Sequence, residues 1–413
     1  MGRFLFVVPP LVGHVNPAVS TAATLAARGH DIAWAGHPEL IRSLAGADAV
    51  VFSCGLPEGA PSRPAELKGP AAFQFLWESF LIPLADAMAP GVRAAIEAYG
   101  PDVVVTDQQA VAGALIAESL GRTWVTSATT SAELVDPLAG MPKVAAWLDG
   151  LLAELRGRIA GGSALRAGQV HGEPAGGRAG EADPRFSPHG VLAYTTRALL
   201  GPAELPDRVW LVGPSVAARP ARPDDFPWAW LDASALPTVL VSLGTANTDA
   251  GARFLNTAVE ALAGMADRVR AVLVDPGGLI EGPVAENILV RPHVPQLALL
   301  ERLDAVVCHA GHNTVCEALW HGVPLVVAPI RDDQPIVAGQ VVDAGAGVRL
   351  RFGRADAARI GAAVEAVLDP AGGHRKAAEA IGESFRAAGG SAAAATRLEA
   401  VPAMSAVTGA RGA

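Results

Sequence analysis

Short runs of β-branched and aliphatic residues alternate with alanine-rich stretches along nearly the whole chain, and the alternation occurs twice. Parallel strands can be joined only through a long connection, usually a helix, so such alternation fits a parallel sheet wrapped by helices. The first half predicts strands over 4–9, 31–35, 49–53, 102–106, 123–127 and 191–195. The second half predicts them over 238–243, 269–274, 288–291, 305–309 and 325–329. A chain of 413 residues exceeds one ordinary core, so two doubly wound Rossmann-like α/β domains are expected. We expect a first domain over 1–205, a linker over 206–230, a second domain over 231–385 and a C-terminal helix or tail over 386–413 that could pack back on the first domain. The linker is rich in Pro, Arg and Asp ("ARPARPDDFP") and too poor in apolar residues to pack. A second stretch, 157–188, is Gly- and Ala-rich without period and reads as a long loop.

Composition removes several classes. Hydrophobic residues make up 51% and charged residues 18%, which describes a chain able to bury large cores, not a disordered one. A formal net charge of -9 opposes binding to a polyanion, so no nucleic-acid partner is expected. Cys54, Cys308 and Cys316 lack the paired spacing of a zinc site and read as reduced thiols of a cytoplasmic protein. The apolar run 4–8 is stopped by Pro9 and Pro10, too short for a signal-peptide core. No run of about 20 apolar residues suggests a membrane span.

Chemistry-bearing residues gather where strands end. "PPLVGHVNP" places Gly13 and His14 between the first strand and a helix expected to begin with Asn16 as cap and Pro17 at its first position, ending at Gly29. The carboxyl edge of a doubly wound sheet faces the ligand crevice. Asp107 ends another strand at that edge, where its carboxylate could fix the tautomer of His14 or cap the following helix. In the second half, "VSLGTANTD" offers Ser242, Gly244 and Thr245 as a cradle for a phosphate. "HAGHNT" puts His309, Gly311, Asn313 and Thr314 between a strand and a helix N-terminus, a favourable place for an anion. Glu317 follows one turn later and suits neutral hydroxyls such as a ribose diol.

With these segments together, the chain resembles the nucleotide-sugar-dependent glycosyltransferases of the GT-B fold, in particular the family-1 enzymes that glycosylate natural products. The resemblance runs from the His14 loop to "DDQP", and its most specific part is 291–335. It implies two domains facing each other across a cleft and a UDP- or dTDP-sugar as co-substrate. "HVPQ" matches the base-binding segment: His293 beside the base, the Val294 backbone at its edge and Gln296 at the ribose. "HAGHNT" matches the diphosphate element, with Glu317 on the ribose, and "DDQP" implies Asp333 and Gln334 on sugar hydroxyls. His293 stands where relatives often carry Trp or Phe, and Val337 where many carry Asn.

The resemblance further implies an inverting transfer with His14 as general base and Asp107 orienting it. No Asp-x-Asp element occurs, so no metal requirement and no tightly bound cofactor are expected. A lipophilic acceptor would sit on the first domain, near Gly13 and the apolar stretch 71–88, with Phe73 and Trp77 as its contacts. Competing readings are a nucleotide-sugar 2-epimerase of similar architecture and a non-catalytic helper protein. A nicotinamide-dependent dehydrogenase would need a Gly-x-Gly-x-x-Gly turn after the first strand, which is missing.

Overall fold

Residues 1–59, 63, 64, 67, 69–135, 137, 138, 140–159, 183–216, 226–244 and 251–410 are described by the computed structural model of the chain. Thr245, most of the 157–188 stretch and the middle of the expected linker lie outside the described residues.

The first sheet contains β1 (Arg3–Val7), β2 (Asp31–Gly36), β3 (Val51–Ser53), β4 (Val103–Asp107), β5 (Trp124–Ala128), β6 (Val191–Ala193) and β7 (Val209–Leu211). Their order is β3-β2-β1-β4-β5-β6-β7, every pairing parallel. The second sheet contains β8 (Thr238–Ser242), β9 (Arg270–Val274), β10 (Ile288–Arg291), β11 (Ala305–Cys308), β12 (Leu325–Val327) and β13 (Gly347–Arg349). It is also parallel, in the order β10-β9-β8-β11-β12-β13. In each sheet the order reverses once, between β1 and β4 and between β8 and β11. That switch leaves a crevice at the carboxyl ends of those strands.

β7 lies inside the span expected as linker, and β13 is a strand that the sequence pattern did not suggest. Alternate residues of the central strands feed cores on opposite faces. Phe4, Phe6, Val103 and Val105 pack toward the helix Val12–Ala27, while Leu5, Val7 and Val104 pack toward the helix Ile82–Tyr99.

The helical segment Gly69–Tyr99, interrupted by a π-helical turn over Trp77–Leu81, is long and apolar enough to cross a membrane by length and composition. Here Leu84, Ala85, Met88, Val92, Ala95 and Ile96 are core residues of the first domain. The helix Gly390–Ala410 follows the second domain yet joins the first: Ala394, Ala395, Leu398 and Val401 share a cluster with Phe4, Phe6 and Leu25. Arg28 and His30 fasten it through Glu399, at 2.8 Å and 3.0 Å.

The first crossover helix departs from expectation. It spans Val12–Ala27 and is preceded by Leu11 in extended conformation, so it begins a turn before Asn16 and carries Pro17 inside. The expected capping by Asn16 fails because a proline is tolerated in the helix when its lost hydrogen bond is replaced from outside. His14 therefore stands in the first helical turn, not on a loop.

Candidate active site

The switch point of the first sheet brings His14 and Asp107 together across neighbouring strands. His14 Nδ1 lies 3.0 Å from both carboxylate oxygens of Asp107, which ends β4. Thr129, the residue after β5, completes a triangle: its hydroxyl is 2.7 Å from His14 Nδ1 and donates to Asp107 Oδ2 at 2.9 Å. The Thr129 proton being committed to Asp107, Nδ1 must carry the imidazole proton and donate it. Nε2 is left as the basic atom. Asp107 Oδ1 also accepts from Gln109 N at 2.8 Å, so the capping role and the imidazole-orienting geometry coexist.

Charges around His14 come from both domains. Burial pushes its pKa down, while Asp107, by charge and by hydrogen bond, and then Asp333 and Glu133 push it up; the net is above the ordinary 6.5. Asp333 belongs to the second domain, so the first domain's histidine senses the opposite wall of the cleft. The Asp333 carboxyl is itself raised, chiefly by burial, although a hydrogen bond from Thr130 and the charge of His14 hold it down. Glu133 is likewise raised by burial, opposed by Arg185, which donates to it at 2.8 Å.

In the second domain, β8 and β11 present Ser242 and His309 side by side. The His309 ring fits between two glycines. A Cβ on Gly244 would lie 2.7 Å from its Cε1, and one on Gly311 would lie 2.3 Å from its Nε2. Gly244 also has a φ of 70°, which strains any residue with a Cβ. Burial lowers the His309 pKa to about 4, so at neutral pH the ring offers one N–H and no charge. Ala310, between His309 and Gly311, is a non-glycine residue at φ 66°. The helix His312–Trp320 then begins at Gly311 with no side-chain cap, leaving its first N–H groups without an intrahelical partner. Thr314 is buried in that first turn.

Asn313 and His312 tie this helix to the first domain. Asn313 Nδ2 donates to the Gly13 carbonyl at 2.6 Å. His312 Nε2 is 3.2 Å from the Tyr194 carbonyl, and its Nδ1 is 3.3 Å from the Ser131 hydroxyl. In the same domain, Gln296 Nε2 donates to Glu317 Oε2 at 2.6 Å. His293 is exposed and Val294 partly buried, just before the helix Gln296–Leu300.

Asp333 and Gln334 stand at the start of the helix Gln334–Asp343. The Gln334 oxygen accepts from Ile330 N and Arg331 N, at 2.9 Å and 3.1 Å, so the loop uses its oxygen and leaves the –NH₂ as its donor half. Asp332, just before, adopts φ 58° and receives two hydrogen bonds from Arg63 of the first domain. The Asn expected by comparison with relatives is replaced by Val337, which is fully buried core.

The aromatic pair expected to receive the acceptor splits. Trp77 is 1% exposed and belongs to a core cluster with Leu81, Leu148 and Leu152, so it has no face for a ligand; its large apolar ring went to the core. Phe73 is half-buried and edge-on to Trp77 and Trp147. Three residues near His14 escaped the sequence reading. Thr129 and Glu133 follow β5, and the strand's carboxyl edge was their only signal. Gln108 is 1% exposed, and both its amide atoms are buried without a partner among the described residues.

Similarities to known proteins bear on this geometry. Residues 209–374 match the family described as UDP-glucoronosyl and UDP-glucosyl transferase. The chain is 33% identical over 399 residues to the 4'-demethylrebeccamycin synthase of Lentzea aerocolonigenes, covering 89% of this chain and 92% of that one. It is 30% identical over 420 residues to the demethyllactenocin mycarosyltransferase of Streptomyces fradiae, covering 97% and 86%. Among solved structures, the glycotransferase of kitacinnamycin superposes with a TM-score of 0.73 at 28% identity, covering 97% of this chain and 99% of that one. The glycosyltransferase VinC, solved in complex with dTDP, has the same fold, with a TM-score of 0.71 at 22% identity, covering 97% and 100%. The chain therefore belongs to the family-1, nucleotide-sugar-dependent glycosyltransferases of antibiotic type with the GT-B fold, and it is a hexosyltransferase.

Proposed function

We propose that this enzyme moves a hexose from UDP-glucose or a dTDP-sugar onto a hydroxyl of a lipophilic natural product, with inversion at the anomeric carbon. The observation that carries the reading is the His14–Asp107–Thr129 triangle, because it leaves Nε2 as a base at the mouth of the first-domain crevice. The acceptor hydroxyl gives its proton to Nε2 as its oxygen bonds C1, and the C1–O bond to the diphosphate breaks on the opposite face. The products are the glycoside, the nucleoside diphosphate and one proton, held first on His14. A base so placed contributes about 10²–10⁴-fold.

The second domain stabilises the leaving group. We assign the diphosphate to the neutral N–H of His309, the loop of Ser242, Gly244 and Thr245, and the uncapped turn at Gly311, Asn313 and Thr314. The same reading places the base beside His293 and Val294 and the ribose on Gln296 and Glu317. Their 2.6 Å contact supports that grouping. Asp333 accepts from, and the Gln334 –NH₂ donates to, neighbouring sugar hydroxyls. A deoxysugar would leave one of these groups unpaired at a cost of about 1–3 kcal/mol, so a glucose-type donor is favoured. The acceptor lies beside Gly13, Gln108 and Phe73. The free buried thiols fit a reducing compartment, and we infer a cytoplasmic enzyme.

The test is turnover of UDP-glucose, dTDP-glucose and a dTDP-deoxyhexose against polyphenol and polyketide acceptors, read by mass spectrometry with and without EDTA. His14→Ala should lower turnover by roughly 10²-fold or more. Unchanged turnover with chemistry rate-limiting removes His14 as the base, and loss of activity in EDTA removes the metal-free reading.

A further inference from the structure

Arg63 lies on the connection between β3 and the helix Gly69–Leu76, in the first domain. Its guanidinium reaches across the cleft and grips Asp332 with both nitrogens, Nη1 to Oδ2 at 2.8 Å and Nη2 to Oδ1 at 2.6 Å. Nη2 also donates to the Ala72 carbonyl at 2.8 Å, anchoring the guanidinium to the helix Gly69–Leu76 of its own domain. The two side chains are 17% and 23% exposed, so the pair is partly shielded from solvent. A bidentate pair of this kind fixes orientation as well as distance, which an exposed single contact does not.

The partner is in an unusual conformation. Asp332 has a φ of 58°, in the left-handed region that residues other than glycine, asparagine and aspartate rarely occupy. The next two residues are Asp333 and Gln334. The left-handed turn at Asp332 thus sets the direction from which the helix Gln334–Asp343 starts and where the Asp333 carboxylate points. Among the described residues, the Asp332 side chain is held by Arg63 of the first domain alone.

We propose that Arg63 is a positioning residue for donor-sugar recognition, its ion pair with Asp332 setting the sugar-facing Asp333 and Gln334 only when the two domains are together. It rests on the reading above that Asp333 and Gln334 hold the sugar. Arg63 is not among the residues assigned above to the sugar or the diphosphate, and its guanidinium is committed to Asp332 and the Ala72 carbonyl. Its loss therefore separates the sugar's share of donor affinity from the nucleotide's share.

The experiment is calorimetric titration of the full-length protein with UDP, UDP-glucose, dTDP and dTDP-glucose. Arg63→Ala should weaken the tighter nucleotide sugar by about 10-fold and its diphosphate by less than about 2-fold. Asp332→Asn, which keeps the shape and tolerates the left-handed turn, should do the same. Arg63→Lys should fall between, having lost the fork. The double variant should be no weaker than either single one, as for two residues acting through one contact. Equal weakening of sugar and diphosphate, or additive losses, overturns the proposal. Asp333→Asn runs beside them. If it leaves sugar affinity unchanged, or if the wild type binds both nucleotide sugars no better than their diphosphates, the sugar-holding reading itself fails. If Asp333→Asn loses sugar affinity while Arg63→Ala keeps it, only the role of Arg63 fails.

Discussion

Asn313 donates to the Gly13 carbonyl at 2.6 Å because Pro17 cannot. Residue 17 would normally satisfy the carbonyl four residues earlier in the helix Val12–Ala27, and proline has no N–H to give. The vacancy is filled from the helix His312–Trp320 of the other domain, one residue from His14. Asn313→Ala should therefore lower kcat more than it lowers the melting temperature. In a Pro17→Ala background a helical N–H becomes available for Gly13, and the kcat loss from Asn313→Ala should shrink. Kinetics and thermal melts of the four-member cycle check this; full additivity of the two substitutions would show that the carbonyl is not what couples them.

The two glycines against His309 make separable predictions. Gly311 has an ordinary φ of -63°, so Gly311→Ala strains no backbone but drives a methyl into the imidazole, 2.3 Å from Nε2. Affinity for UDP should fall by about 10-fold or more with little change in stability. Gly244→Ala meets both the ring and a φ of 70°, so it should lose affinity and also about 1 kcal/mol or more of stability. Calorimetry and denaturant melts distinguish them. A Gly311→Ala protein with native UDP affinity would take His309 away from the diphosphate.

Much of the fold was legible, and the reason is periodicity. Apolar runs bounded by Pro and Gly located eleven of the strands to within a residue or two, and the carboxyl-edge rule led to His14 and Asp107. What was not legible depends on which strands become neighbours and how the domains meet. Thr129 matters only because β5 lies beside β4, and Arg63 only because its loop faces Asp332. The start of the first helix was misplaced because a local proline rule was overridden by the hydrogen bond from Asn313. Trp77 was assigned to the acceptor by its character, and burial decided otherwise.

Gln108 carries a prediction about the balance between stability and function. Its amide is buried with no partner for nitrogen or oxygen among the described residues, a cost of about 1–3 kcal/mol if nothing ever binds there. It follows Asp107 at the carboxyl end of β4. Gln108→Leu should raise the melting temperature while lowering kcat/KM for the acceptor and leaving donor KM unchanged. A variant that is stabilised yet fully active would make the amide a structural remnant without a ligand.

The pH profile tests how His14 is tuned. Its pKa is raised above 6.5 because the charges of Asp107, Asp333 and Glu133 outweigh burial. A base must be neutral to act, so kcat/KM should rise with pH through an apparent pKa above 6.5. Stability runs the other way. The interaction of imidazolium with Asp107 contributes fully below the unfolded value of 6.5 and is lost as pH rises through the higher folded value. Asp107→Asn removes the largest raising influence but leaves the burial, so the acid limb should move to lower pH while the plateau rate falls. Asp333→Asn and Glu133→Gln act by charge alone and should move the limb the same way by less. Profiles of kcat/KM, with NMR titration of the His14 ring, give both quantities. If Asp107→Asn left the limb in place, or moved it to higher pH, then His14 would not be the group whose deprotonation controls the rate.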